Sequence, residues 1–103
     1  MGKISGAQAV ADDVLEEVER ASTKFPLWPT DPLHAVAIVN EEVGELNKAL
    51  LQEAYELNEG ITQEDIRKEA VQSAAMLIRF IVSLDRDRDR YSYDHPIEAQ
   101  HAQ

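Results

Sequence analysis

The sequence predicts an all-α fold, an antiparallel bundle of three main helices. Three observations carry this expectation. Apolar residues recur at helical spacing in three long segments. The second and third segments each open on a helix-starting signal, Asp31-Pro32 and Thr62 with Asp65. The connection between them, Asn58–Ile61, is short enough to make these two helices antiparallel neighbours.

The first helix is expected from about Ser5 to Thr23. Ala7, Val10, Ala11, Val14, Leu15 and Val18 form its apolar face, and Asp12, Asp13, Glu16, Glu17 and Glu19 face away. Phe25-Pro-Leu-Trp-Pro29 ends it, because each proline disfavours helix at the residue before it. This aromatic loop admits two readings. It is a hydrophobic plug over the helix ends, or its Trp28 is a wall on which a nucleotide base stacks.

In the second helix Asp31 suits the N-cap and Pro32 the first turn. The helix is expected to reach about Leu57 and to stop at Asn58-Glu-Gly60. In the third, Thr62 and Asp65 make a capping-box-like pair, and Ile66, Ala70, Val71, Ala74, Leu77, Ile78, Ile81 and Leu84 give the periodicity. Alternating Asp and Arg follow from Asp85 to Arg90. Pairs Asp85–Arg88 and Arg86–Asp89 make this a solvated helix end, with phosphate grasping by Arg88 or Arg90 as the alternative. Residues 1–90 are thus expected to form the helical domain. Residues 91–103 form a tail without a pattern, disordered or packed on a partner subunit.

A chain of 103 residues makes one domain and not two. Such a small domain buries a modest fraction of its surface, and helix two carries Val36, Val39, Val43, Leu50 and Leu51 on more than one side. At least a homodimer, with helices two and three at the interface, is therefore expected. There is no cysteine, so disulfides and thiolate metal sites are excluded. Met1 to Val10 lacks the apolar stretch of a signal peptide. The longest apolar run, Ala74 to Val82, is interrupted by Arg79 and too short to span a bilayer. The expected location is the cytoplasm, without membrane attachment. The net charge of −10 argues against nucleic acid as a partner. It does not exclude a nucleotide, because clustered acids can bind a metal and the metal can bind phosphates.

The acids do cluster. Glu42 and Glu45 are three apart on helix two, and Glu41 and Glu45 are four apart, so all three repel one another. Glu42 also interrupts the apolar row Ile38–Glu42–Leu46, where an unpaired carboxylate is costly. On helix three, Glu69 and Gln72 are again three apart, between Ile66 and Met76. Antiparallel packing would set these two pairs face to face. Three carboxylates and an amide oxygen suit Mg²⁺, a hard cation that prefers oxygen. Against this, Glu-Glu-x-x-Glu is common on solvated helix faces.

Glu41-Glu42-Val-Gly-Glu45-Leu, followed on the next helix by Glu69-x-x-Gln72, resembles the MazG-like all-α nucleotide pyrophosphohydrolases. The resemblance covers about residues 25–84, including the Phe-x-x-Trp loop. It implies a dimer or tetramer of helical protomers that uses Mg²⁺ to cleave the α–β bond of (deoxy)nucleoside triphosphates. It implies Glu42, Glu45 and Glu69 as metal ligands, and Glu41 as an extra ligand or the group that orients the attacking water. Gln72 departs from the family pattern, which has Asp there. Its amide oxygen can still ligate but brings no charge.

Two further residues fall near the cluster. His34 lies on the Ile38–Glu41–Glu45 stripe and contacts a sugar or phosphate, or is a satisfied histidine at the bundle edge. Arg79 lies two turns beyond Gln72 and pairs with a triphosphate oxygen or neutralises the acids. The resulting expectation is a Mg²⁺-dependent (Mn²⁺ as substitute) nucleotide pyrophosphohydrolase that yields (d)NMP and pyrophosphate. Glu41 serves as base if its neighbours raise its pKa. The alternatives are a nucleotide-binding regulatory module that Gln72 has deprived of turnover, and a purely structural oligomerisation bundle.

Overall fold

The computed structural model describes residues 5–56 and 59–87. Its ordered elements are three α-helices: α1 (Ser5–Lys24), α2 (Pro32–Tyr55) and α3 (Gln63–Asp87). The described residues contain no strand. None of the helices is long and apolar enough to cross a membrane. Leu57, Asn58, Arg88, Arg90 and the 91–103 tail lie outside the described residues, as do the partners expected of Asp85 and Arg86 at positions 88 and 89.

The helix starts follow from local chemistry. Asp31 is the N-cap of α2, and its carboxylate accepts from Leu33 N at 2.9 Å. Pro32 opens the helix, where its missing N–H costs nothing. Thr62 and Asp65 close a reciprocal box: Thr62 N donates to Asp65 Oδ2 at 2.9 Å, and Asp65 N to Thr62 Oγ1 at 3.1 Å. Gly60 takes φ +70°, the left-handed conformation that turns the chain into α3.

α3 is the central helix, and α1 and α2 pack on it rather than on each other. α1 runs parallel to α3. Arg67 meets Asp13 at 2.7 Å near one end, and Arg79 Nη2 donates to Phe25 O at 2.7 Å near the other. α2 runs antiparallel to both.

The core is built from small side chains, with Val14, Ala21, Val39, Ala75 and Met76 buried and Val18, Trp28, Ile38 and Phe80 packed around them. Ala35 and Ala49 are buried as well, with Ser73 and Ser83. Ser73 satisfies its hydroxyl on Glu69 O, one turn back, at 2.9 Å. Small residues let the helix backbones come close.

Several expected core positions lie outside this core. Ala7, Val10 and Ala11 are exposed because the start of α1 runs past the start of α3, and Leu15 is exposed on a side that nothing covers. Glu17, expected to face solvent, is turned inward, with its side chain only 14% exposed. On α3, Ala70, Leu77 and Ile81 are exposed. Gly44 sits in the interior of α2, and a Cβ there would meet nothing within 4 Å. Glycine at such a position costs roughly 0.5–1 kcal/mol relative to alanine, with no packing inside the chain to offset it.

Candidate functional site

α1 and α2 both lie on α3 and leave a trough between them. The trough holds a cleft of ≈ 380 Å³ that brings together Trp28, Glu41, Glu42, Gln72 and Arg79, five of the eight residues singled out by sequence. Glu17 and Arg20 of α1, Met76 of α3 and the Phe25–Leu27 loop complete its wall.

Glu42 is the pivot of the acids. It is half-buried, and its carboxyl is raised above the ordinary glutamate range. Loss of solvent is the largest cause, followed by the charges of Glu69, Glu41, Glu45 and Glu17. Antiparallel packing of α2 on α3 thus brings Glu42 and Glu69 within electrostatic reach.

The other acids diverge. Glu45 and Glu69 line a second cleft of ≈ 300 Å³ toward the α2–α3 connection, with Lys48, Gln52 and Asp65. Among the described residues no group of three or more His, Asp or Glu side chains converges as a metal site would require. Mutual repulsion explains why exposed Glu41 and Glu45 turn apart without a cation. The chemistry of the donor set nonetheless fits a hard cation, since every donor is an oxygen.

Gln72 is half-buried and lines both the cleft and a wide groove between α1 and α3. His34 is not brought to the cleft. Its side chain is 66% exposed in the first turn of α2, with Nε2 3.9 Å from Asp31 Oδ2. Arg79 makes no ion pair with the acids. Its guanidinium lies 4.7 Å from the centroid of the Trp28 ring, and it donates to Phe25 O. Burial pulls its pKa down from the usual arginine value. The cation that does neighbour the acids is Arg20, which grips Glu17 through Nε (2.8 Å) and Nη2 (2.6 Å). Its pKa is raised, chiefly by that hydrogen bond and charge and to a lesser degree by Glu42. The Arg20 hydrogen bond lowers the pKa of Glu17.

Glu17 and Arg20 were not singled out by sequence, although a signal was present. Glu17 interrupts the row Val14–Glu17–Ala21 just as Glu42 interrupts Ile38–Leu46. The indole Nε1 of Trp28 is buried without a hydrogen-bond acceptor among the described residues. Comparison of the chain with models of known families, with curated proteins and with solved structures gives no match.

Proposed function

We propose that the protein is a Mg²⁺-dependent nucleotide pyrophosphohydrolase converting (d)NTP to (d)NMP and pyrophosphate. The observation that carries this reading is the cleft that joins an aromatic wall, Trp28 backed by Arg79, to the acidic positions Glu41 and Glu42. A base needs an apolar face to stack on, and a triphosphate needs concentrated positive charge beside it.

Glu42, Glu45, Glu69 and Gln72 are the residues that would hold Mg²⁺, or Mn²⁺ in its place. When bound, the ion supplies charge to the phosphates and polarises a water. The remaining work falls to the chain. Glu41, exposed at the mouth of the cleft, accepts the proton of the water whose oxygen adds to the α-phosphorus. The bond from that phosphorus to the bridging oxygen breaks, and pyrophosphate leaves. Arg79 holds Trp28 in place, and the unsatisfied indole N–H is a donor for the bound base or a water.

A second reading is favoured by Gln72 and by the divergence of the carboxylates. In it the cleft binds nucleotide without turning it over. A screen of common NTPs and dNTPs with Mg²⁺ and Mn²⁺, measuring pyrophosphate, separates the two. Release from any of them supports the enzyme. Binding without release supports the regulatory module. Neither binding nor release leaves a structural bundle.

A further inference from the structure

α2 carries a face that its own chain does not use. At 3.6 residues per turn, Leu33, Val36, Ala37, Asn40, Val43, Gly44, Asn47, Leu50, Leu51, Ala54 and Tyr55 fall in one sector of about 140°. None of these eleven positions carries a charge, in a chain where 29% of residues do. All are exposed except Val36, which is half-buried. Val43 is 43% exposed, Leu51 49% and Tyr55 81%. An apolar stripe this wide is normally the buried side of a helix. Here the buried side is a different one, containing Ala35, Val39 and Ala49. Gly44 stands at the centre of the unused face, with open space before it. A helix-interior glycine without a neighbour in its own chain marks a place where something outside approaches the backbone closely.

We infer that this face is a self-association seam, on which α2 of a second copy lies antiparallel and crosses near Gly44. Charge selects the occupant. Two chains of net charge −10 repel each other over most of their surface. The sector around Gly44 is where that repulsion is absent, so the face is its own complement. Charge also selects the direction. Glu41 and Lys48, seven residues apart and both exposed, border the face on one flank. In an antiparallel pair crossing near Gly44, each Glu41 comes opposite the other copy's Lys48, and the pair forms twice.

Area sets the extent of the seam. The 24 residues of α2 are about 36 Å long, and a face about 10 Å wide covers roughly 360 Å². A stable interface needs about 800 Å² per partner. The exposed Leu77 and Ile81 of α3 lie on the same side of the α2–α3 pair, away from α1 and the acid cleft, and extend the seam.

The test is the mass of the full chain at micromolar concentration, without nucleotide, by sedimentation equilibrium. A dimer of the 11.6 kDa chain is expected. Gly44→Glu should give a monomer whose circular dichroism is unchanged. Gly44→Ala should weaken dimerisation roughly tenfold, while the dilute monomer melts no lower than wild type, because alanine is the better helix former. Lys48→Glu should also weaken the dimer, and adding Glu41→Lys should restore it. A monomeric wild type, or a Gly44→Glu variant that keeps the dimer mass, overturns the seam. A charge swap that fails to restore association overturns its antiparallel direction.

Discussion

The guanidinium of Arg79 lies over the ring of Trp28, 4.7 Å from its centroid, and the same group donates to the carbonyl of Phe25 at 2.7 Å. One side chain of α3 therefore holds both ends of the loop that walls the cleft. The stack contributes about 0.5–2 kcal/mol, depending on how dry it is. The charged hydrogen bond adds roughly 1.5–3 kcal/mol where well formed. Arg79→Ala is expected to lower unfolding free energy in urea by about 2 kcal/mol. Trp28 is the only tryptophan, so its emission should shift to the red as it gains solvent. Arg79→Lys should recover little, because an ammonium lacks the planar fork. Unchanged emission in Arg79→Ala would mean that the loop holds Trp28 without this contact.

The raised carboxyl of Glu42 makes a statement about pH. A carboxyl with a higher pKa folded than unfolded binds more protons folded, so stability falls as pH rises through that window. The window begins near the ordinary value of 4.5 and extends upward to the raised value. Without metal, Glu42→Gln should therefore melt higher than wild type at pH 7. The two should converge below about pH 4.5, where Glu42 is protonated in both states. Thermal melts at the two pH values in chelator measure this. A variant that melts lower than wild type at pH 7 would show that the charge of Glu42 is compensated, with Arg20 the nearest candidate.

How far the site was legible in the sequence depends on the range of the interactions. The caps at Asp31 and at Thr62–Asp65 were legible because they join residues two or three apart. The approach of α2 and α3 was legible because a short connection forces it. The placement of α1 was not. An apolar stripe shows that a helix is buried on one side, but not against which partner or at which height. Val10 and Leu15 were thus expected in the core and are exposed. Glu17 was counted among solvent-facing acids, although it interrupts an apolar row just as Glu42 does. Arg79 was weighed as a partner for acids or phosphate, and it spends its guanidinium on Trp28 and Phe25, because an aromatic loop 54 residues away folds back over it.

A divalent cation should raise the melting temperature of the wild-type protein. The acids around Glu42 repel until a cation arrives, and a ligand that binds only the folded state stabilises it. Glu42→Gln and Glu45→Gln should each remove most of the gain. Because Glu45 and Glu69 line a different cleft from Glu41 and Glu42, binding has to draw the two groups together. A change in Trp28 emission on titration with Mg²⁺ should accompany it. A melting temperature identical with and without Mg²⁺ and Mn²⁺ would remove the metal from the proposed function.

Gln72→Asp tests the position where the chain departs from the Glu-x-x-Asp pattern. The substitution keeps an oxygen in the same row on a side chain one carbon shorter. Gln72 lines the cleft beside Glu41 and Glu42, so a new charge there joins an array that already strains Glu42. Arg20 lines the same cleft but is held in a fork by Glu17, which limits its power to neutralise another acid. Without metal, Gln72→Asp is expected to be less stable than wild type. With Mg²⁺ the order should reverse, because the added carboxylate strengthens the ion's hold and binding feeds back on folding. Metal affinity should rise in calorimetry, and pyrophosphate release should rise with it if the missing charge limits turnover. Loss of stability without a gain in affinity would place position 72 near the acids but outside the coordination set. No change in either would separate it from the cluster, and the pyrophosphohydrolase reading would lose the helix-three half of its site.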